Sequence, residues 1–206
     1  MNFENGFWYF DRVIPKKLCD DIIKHGNSKK EELALTGGLK KDNITKKELT
    51  DLKKKRNSNV VWLNDKWIYN EILRYVHNAN NNAGWNFEWD WAEDCQFTKY
   101  KKGQYYGWHQ DSWNKKYGKD RGVNFEGKIR KLSVTINLTE GTEYEGGNLQ
   151  FDFSTPENKN NIITASQARS KGTVIVFPSY TWHRVEEVTK GTRYSLVIWC
   201  CGKPFK

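Results

Sequence analysis

Apolar positions in the first third of the chain recur at the three- and four-residue spacing that is typical of amphipathic helices. The segment IPKKLCDDIIKHG has Pro15 in its first turn and Gly26 as its stop. A second segment, TKKELTDLKKK, opens with Thr45 and Glu48 at capping-box spacing. A third, NDKWIYNEILRYVHNANNNAG, keeps its apolar face up to an asparagine-rich end and stops at Gly84. The pattern therefore predicts three helices before residue 85.

After Gly84 the pattern changes to the two-residue alternation of strands. WNFEWDW alternates aromatic and polar residues, and the segments CQFTKY, KLSVTINL, GNLQFDF, GTVIVF and RYSLVIWC follow, separated by glycine-containing stretches. Many short strands with such punctuation indicate a β-sandwich or barrel. We expect a helical support region over residues 1–93 and a β core over 94–206, forming one compact domain that is mainly β.

One short stretch, YGWHQDSW, carries candidate metal chemistry. His109 and Asp111 are two residues apart, so on a strand both side chains would face the same way and could converge on one cation. Two imidazoles and one carboxylate on one side of an octahedral ion suit Fe(II) and leave three positions open. The remaining histidines are His25 and His77, both on predicted helices, and His183, which follows the strand GTVIVF and a Pro-Ser turn. His183 is the favoured third ligand.

Arg193 lies ten residues after His183, across a VTKG segment that we interpret as a hairpin turn. Arg193 and Ser195 share a face by the alternation of the strand. A guanidinium offers a rigid fork for a carboxylate, and a neighbouring hydroxyl can add one more bond. Beside an open iron site, this pair could hold the far end of a dicarboxylic acid.

These residues give the chain a resemblance to the Fe(II)/2-oxoglutarate-dependent oxygenases, and most to their prolyl 4-hydroxylase and PKHD-type hydroxylase branch. YKKGQYYGWHQD resembles the Tyr-x-x-Gly-x-x-Tyr-x-x-His-x-Asp pattern of that branch. RKLSVTINLTEGTEYEGGNLQF resembles its next two strands, and GTVIVFPSYTWHRVEEVTKGTRYSLVIW its closing His and Arg segment. The resemblance covers most of residues 8–200.

The resemblance implies a double-stranded β-helix (jelly-roll) core flanked by N-terminal helices. It implies a catalytic iron held by His109, Asp111 and His183, and Arg193 binding the distal carboxylate of 2-oxoglutarate. Tyr100, Ser195 and Asn137 are further candidates for the co-substrate pocket. The implied reaction is hydroxylation of a C–H bond with O2, with release of succinate and CO2, as in procollagen-proline 4-dioxygenases. Ascorbate is the implied reductant.

The substrate predicted by the resemblance is a prolyl residue in a peptide or protein. The longest irregular stretch, residues 112–128, follows the HQD motif and is our candidate for a substrate cover. Candidate substrate-contacting residues are Tyr106, Trp113, Tyr117 and Arg121.

Net charge is +9, which leaves a second enzymatic hypothesis open, a demethylase-type oxygenase acting on nucleic acid. Much of the surplus lies in scattered lysines and in the run KKKR at 53–56, which a solvated helix face explains. A third hypothesis is a non-catalytic β-sandwich binding module. The four cysteines lack the C-x-x-C spacing of zinc sites, and the chain shows neither a secretory h-region nor an apolar run of membrane-spanning length. We therefore expect free thiols and a soluble cytoplasmic protein that contacts no membrane.

Overall fold

A computed structural model describes residues 5–35, 44–112 and 115–205. Its helices are α1 (Lys16–Asn27), α2 (Lys46–Lys55) and α3 (Lys66–Asn82). Its strands are β1 (Trp8–Phe10), β2 (Glu32–Leu33), β3 (Arg56–Asn57), β4 (Asn59–Leu63), β5 (Trp91–Ala92), β6 (Cys95–Lys101), β7 (Tyr105–His109), β8 (Ile129–Asn137), β9 (Tyr144–Gly146), β10 (Leu149–Asp152), β11 (Ile162–Thr164), β12 (Val174–Pro178), β13 (Trp182–Val185) and β14 (Val188–Gly202).

The strands form two antiparallel sheets, which we call the major and the minor sheet. The major sheet runs β1-β12-β8-β14-β6-β4-β2, with β5 and β9 also paired to β14. The minor sheet runs β11-β10-β13-β7-β3. From β6 to β14 the chain passes back and forth between the two sheets, which is the winding of a double-stranded β-helix. The predicted fold class, a jelly-roll core with N-terminal helices, is confirmed.

Helices α1 and α3 cover the outer face of the major sheet, whereas α2 packs against β3 and β7 of the minor sheet. Ile22 of α1 and Ile72 and Val76 of α3 join a core cluster with sheet residues such as Phe97 and Leu196, and each of these side chains is at most 1% exposed. The predicted capping box of α2 is present, with the Glu48 backbone N–H donating to Thr45 Oγ1 at 3.2 Å. The three predicted helices are thus present.

A second apolar cluster fills the space between the two sheets. Phe151 of β10, Phe177 of β12 and Tyr100 of β6 are its largest members, and each is at most 3% exposed. Phe151 is paired in register with His183 of β13. This cluster packs directly beneath the candidate site.

The structure departs from the predicted strands in two places. Residues 85–90 do not form a strand, because the Asn80 side chain donates to Phe87 O and accepts from Phe87 N, which occupies the groups that a neighbouring strand would use. The VTKG segment is not a hairpin turn either, since it lies within β14. His183 therefore pairs with His109 across the minor sheet, whereas β14 pairs within the major sheet.

The region before residue 94 is less purely helical than the sequence predicts. It supplies β1, β2, β4 and β5 to the major sheet and β3 to the minor sheet. Arg56, read from the sequence as the end of a solvated lysine run, begins β3 and is only 4% exposed, whereas Lys53, Lys54 and Lys55 are exposed.

No helix in the described ranges is long and apolar enough to cross a bilayer. All four cysteines are buried and free, as the sequence predicts.

Candidate active site

Three predicted side chains meet at the end of the minor sheet. His109 ends β7, and its register partner in β13 is His183. Asp111 follows two residues later, where its backbone N–H donates to Ser179 O at 2.9 Å. One candidate ligand atom from each side chain lies within 4.8 Å of the other two.

Hydrogen bonds set the orientation of both imidazole rings. His109 Nδ1 lies 2.8 Å from Gly107 O, and His183 Nδ1 lies 2.9 Å from Thr181 O. A carbonyl only accepts, so both Nδ1 atoms carry the proton and a neutral ring presents an unprotonated Nε2. These Nε2 atoms lie 3.7 Å (His109) and 3.5 Å (His183) from the Asp111 carboxylate.

The charge states suit a cation. Burial lowers the pKa of His109 to about 3, with the neighbouring His183 acting in the same direction. Burial alone would raise the pKa of Asp111, but His183, His109 and Arg130 outweigh it and hold that pKa at about 2. At neutral pH the site therefore offers a neutral His109 imidazole and a charged carboxylate, the protonation states that metal binding requires.

Neighbouring side chains hold the candidate ligands in place. Ser133 Oγ of β8 donates to Asp111 Oδ2 at 2.8 Å and lies 2.9 Å from Ser179 Oγ. The Tyr106 ring stacks on the His109 ring, with centroids 3.5 Å apart and planes 12° apart. Two imidazole nitrogens and one carboxylate form the donor set that suits a non-haem Fe(II) with open positions. The residues present thus fit an iron ion.

The other two histidines lie outside this cluster. His25 Nε2 of α1 is 2.8 Å from Asp65 Oδ2. His77 of α3 is exposed and stacks on Trp89 with ring centroids 4.5 Å apart.

Arg193 lies on β14 opposite Tyr100 of β6, with its guanidinium carbon 5.6 Å from the Tyr100 ring centroid. It is 2% exposed, and its Nε and Nη1 atoms have no hydrogen-bond partner among the described residues. A buried guanidinium without a partner is costly, and a carboxylate is the group that matches its geometry. Arg193 thus fits the distal carboxylate of a keto diacid.

The remaining candidates for the co-substrate pocket are buried near Arg193. Ser195 is paired in register with Asn137 of β8. Burial raises the pKa of Tyr100, although Arg56 and Arg193 oppose this, so its hydroxyl stays protonated as a donor. Both N–H groups of the Asn137 amide are already used, because Nδ2 donates to Thr139 O at 2.7 Å and to Arg169 O at 2.8 Å. Asn137 therefore has no side-chain N–H left for a carboxylate.

A cavity of about 750 Å³ opens beside Asp111. Three of the predicted substrate residues, Tyr106, Tyr117 and Arg121, line it. The fourth, Trp113, lies outside the described residues. Part of the predicted substrate cover, residues 115–118 with Asp120, Arg121 and Phe125, forms one wall.

Other residues that line this cavity were not predicted from the sequence. Trp199 of β14 lies under the Arg130 guanidinium, whose carbon is 3.7 Å from the indole centroid. Arg130 also donates twice to the buried Glu93, at 2.6 and 2.7 Å. Arg56 stacks over Tyr106 at 4.4 Å. Trp199 could have been found, because it shares strand parity with Arg193 and Ser195, whereas Arg56 was hidden in its lysine run.

Comparison with known proteins agrees with this geometry. The profile of the 2OG-Fe(II) oxygenase superfamily matches residues 95–201. A PKHD-type hydroxylase of Idiomarina loihiensis is 31% identical over 102 residues, which cover 50% of this chain and 39% of the relative. The matched region thus spans about two fifths of that relative's length.

Solved structures resemble the whole chain in fold. A viral collagen prolyl hydroxylase from Paramecium bursaria Chlorella virus-1, solved with 2OG, superposes with a TM-score of 0.64 at 20% identity, covering 97% of each chain. A Pseudomonas putida prolyl-4-hydroxylase superposes with a TM-score of 0.68 at 16% identity, covering 98% of this chain and 95% of the other. With the profile match over more than half its length, this chain belongs to the 2OG-Fe(II) oxygenase superfamily, and its similarities lie with the PKHD-type and prolyl 4-hydroxylase branch.

Proposed function

We propose that this protein is an Fe(II)- and 2-oxoglutarate-dependent dioxygenase that hydroxylates a prolyl residue in a peptide or protein. The observation that carries the reaction class is the meeting of His109, Asp111 and His183 within 4.8 Å. Bound iron and 2-oxoglutarate would supply the oxidising power, since one atom of O2 enters the substrate hydroxyl and the other enters succinate as the keto acid loses CO2.

In this proposal the chain positions the reactants. The two Nε2 atoms and the Asp111 carboxylate hold the iron, and Arg193 binds the distal carboxylate of the keto acid. The apolar cluster of Phe151 and Phe177 keeps water away from the buried side of the site. Tyr100, with its protonated hydroxyl, is a second candidate donor to the co-substrate.

The cavity beside Asp111 supports a peptide substrate. It is lined by five aromatic side chains, Trp62, Tyr106, Tyr117, Phe125 and Trp199. Aromatic grooves favour proline-rich extended segments, which lose little entropy on docking. One buried donor that lines it, Arg56 Nη2, has no partner in the described ranges and could meet a peptide carbonyl. The PKHD-type relative and the two prolyl hydroxylases in the fold comparison point to the same substrate class.

The test is aerobic incubation with Fe(II), 2-oxoglutarate, ascorbate as reductant and a set of proline-containing peptides. We expect succinate release and a mass gain of one oxygen on a prolyl residue. His109→Ala should abolish both, whereas His77→Ala, which changes an exposed histidine on α3, should abolish neither. Succinate no higher than that of the His109→Ala variant would contradict the reaction class and favour the binding-module hypothesis.

The net charge of +9 favours a second candidate, a nucleic-acid demethylase. Methylated DNA and RNA oligonucleotides therefore form a parallel arm of the same assay. Loss of methyl groups there, with no oxygen gain on any peptide, would replace the prolyl substrate and leave the reaction class intact.

A further inference from the structure

We propose that Tyr144 is a further co-substrate residue, whose phenolic hydroxyl donates to the distal carboxylate of the keto acid beside Arg193. This inference rests on the proposed function, because it concerns the same ligand.

Tyr144 and Arg193 meet at a glycine. A Cβ placed on Gly147 would lie 3.2 Å from Arg193 Cδ and 3.4 Å from Tyr144 Cε2, the ring carbon next to the one that carries the hydroxyl. Tyr144 belongs to β9, which pairs with β14 at Gly191, two residues before Arg193. The edge of the Tyr144 ring and Cδ of Arg193 therefore both border the space that a side chain at Gly147 would fill.

Both side chains hold polar atoms that are buried without a partner. Tyr144 and Arg193 are each 2% exposed, and within the described structure neither the Tyr144 hydroxyl nor the Nε and Nη1 atoms of Arg193 make a hydrogen bond. Leaving such donors unpaired destabilises a fold. One carboxylate has two oxygens and about four lone-pair positions, so a single anion can accept from both residues.

The loop that carries Tyr144 is held rigidly. Arg169 donates to four acceptors in it, Gly141 O, Tyr144 O, Gly146 O and Asn148 Oδ1, each at 2.8 Å. The Arg169 guanidinium carbon also lies 4.5 Å from the Tyr144 ring centroid. Because the ring is fixed before any ligand arrives, little conformational entropy is lost when the hydroxyl forms its bond.

This arrangement predicts selection for a keto acid with a second carboxylate. Arg193 supplies the charge, and Tyr144 adds a neutral donor at the same end of the ligand. Removing the hydroxyl should therefore weaken the binding of 2-oxoglutarate and leave that of 2-oxobutyrate, which has no distal carboxylate, unchanged.

The test measures equilibrium binding without turnover. Protein loaded with Mn(II) under anaerobic conditions is titrated by calorimetry with 2-oxoglutarate and, separately, with 2-oxobutyrate. In Tyr144→Phe we expect roughly tenfold weaker binding of 2-oxoglutarate, as for loss of one hydrogen bond to a charged group. The affinities for Mn(II) and 2-oxobutyrate should stay at the wild-type values. The matched control is Tyr75→Phe, which removes a tyrosine hydroxyl that bonds Val13 O on the helical side of the fold.

Three outcomes would overturn the inference. If Tyr144→Phe binds 2-oxoglutarate as wild type does while Arg193→Met binds it weakly, Tyr144 has no role and the proposed function stands. If Tyr144→Phe weakens the binding of Mn(II) or 2-oxobutyrate as much as that of 2-oxoglutarate, the tyrosine is structural only. If the Mn(II)-loaded wild-type protein binds no 2-oxoglutarate, the proposed function fails and the role of Tyr144 fails with it.

Discussion

The Ser133 hydroxyl helps to orient Asp111 in the candidate metal centre. Ser133 Oγ donates to Oδ2 of that carboxylate, which also lies 3.5 Å from His183 Nε2, whereas Oδ1 lies 3.7 Å from His109 Nε2. Mutating a group that orients a metal ligand typically costs about 10- to 100-fold in metal affinity.

We predict that Ser133→Ala lowers the affinity for Mn(II) or Fe(II) by roughly tenfold or more, because Asp111 loses its orienting donor. Anaerobic metal titration followed by calorimetry measures this. Thr50→Ala is the control, since it removes a hydroxyl that bonds Lys46 O on the exposed face of α2. Equal metal affinity in the Ser133→Ala variant and wild type would show that the ligand needs no such support.

The buried pair of Glu93 and Arg130 gives a pH-dependent contribution to stability. Burial by itself would raise the pKa of Glu93, but hydrogen bonds and charge from Arg130 outweigh it, so the pKa lies below its ordinary value of 4.5. A carboxyl with a depressed folded-state pKa stabilises the fold fully above the ordinary value. That contribution is lost as the pH falls through the lower, folded-state value.

We therefore predict that Glu93→Gln lowers the free energy of unfolding by about 3 kcal/mol at neutral pH, because Arg130 keeps its charge without a partner. The difference from wild type should shrink as the pH falls below 4.5. Urea unfolding at a series of pH values measures it. Glu126→Gln is the control, since its contact with Lys119 is 3.9 Å long and exposed. A difference that does not change with pH would exclude this titration.

At the residue scale, the sequence identified the side chains whose chemistry stands out by type and spacing. It singled out His109, Asp111 and His183, which the structure brings together, and Arg193, which the structure buries. Ser133 and Tyr144 were not singled out, because a serine or tyrosine on a strand has no local signature. Only the fold brings Ser133 to Asp111, which is 22 positions away along the chain.

Among the elements, the wall of the cavity at residues 115–128 is tied to residues 90–93 by several contacts, among them a 2.7 Å ion pair between Lys128 and Asp90. Tyr117 donates its hydroxyl to Glu93 Oε1 at 3.0 Å, and Phe125 contacts Trp91 edge to face. Backbone bonds from Tyr117 N to Lys128 O and from Gly127 N to Tyr117 O, both 2.9 Å, close its base. The stretch is therefore a hairpin-like flap with a defined root.

We predict that replacing residues 118–126 with a two-residue glycine turn raises the KM for a peptide substrate about tenfold or more, since one wall of its groove is removed. Affinities for metal and 2-oxoglutarate should not change. Steady-state kinetics and calorimetry separate the two effects. The control shortens the exposed 155–160 loop beyond β10, at the far side of the minor sheet. Unchanged peptide kinetics in the flap variant would contradict its role as substrate cover.

Element boundaries were predictable where one local signal dominated. The capping box fixed the start of α2, and alternation fixed most strands of the major sheet. Residues 85–90 of the WNFEWDW stretch alternate without forming a strand, because the backbone groups of Phe87 bond to the Asn80 side chain. The VTKG segment looked like a turn because Gly191, at φ 74°, permits a bend, yet pairing with β9 keeps the segment inside β14.

For the whole molecule, the contact between the helical layer and the major sheet depends on close approach at Gly26. A Cβ there would lie 2.5 Å from Phe97 Cδ1, so α1 or the Phe97 ring would have to move. The opposite face of this sheet carries Arg193 and Ser133. Strain on the helical side should therefore affect stability more than ligand binding.

We predict that Gly26→Ala lowers the free energy of unfolding by about 1–3 kcal/mol through overpacking. The affinity of the Mn(II)-loaded protein for 2-oxoglutarate should be unchanged. Urea unfolding and calorimetry test the two statements, and Ser28→Ala at the exposed end of α1 is the control. Wild-type stability in Gly26→Ala would show that the interface has room to relax.

Overall architecture was predictable because helical and strand periodicities occupy separate parts of the chain. The pairing of β1 to β4 with the core was not, because short strands of two to five residues carry almost no periodic signal. Net charge was equally uninformative about the site, since the cavity wall combines cations such as Arg130 with their own buried acids such as Glu93.

Strand β14 carries Arg193 and, six residues further on, Trp199 at the cavity wall. Six residues of extended chain span about 20 Å, so the proposed keto-acid anchor and the proposed peptide groove lie at two fixed positions on one strand. A single strand that keeps one conformation does not couple binding at one of its positions to binding at the other. Any order in which the two reactants bind should therefore come from crowding around the metal, and the peptide should change the affinity for a diacid that cannot chelate metal, such as glutarate, very little.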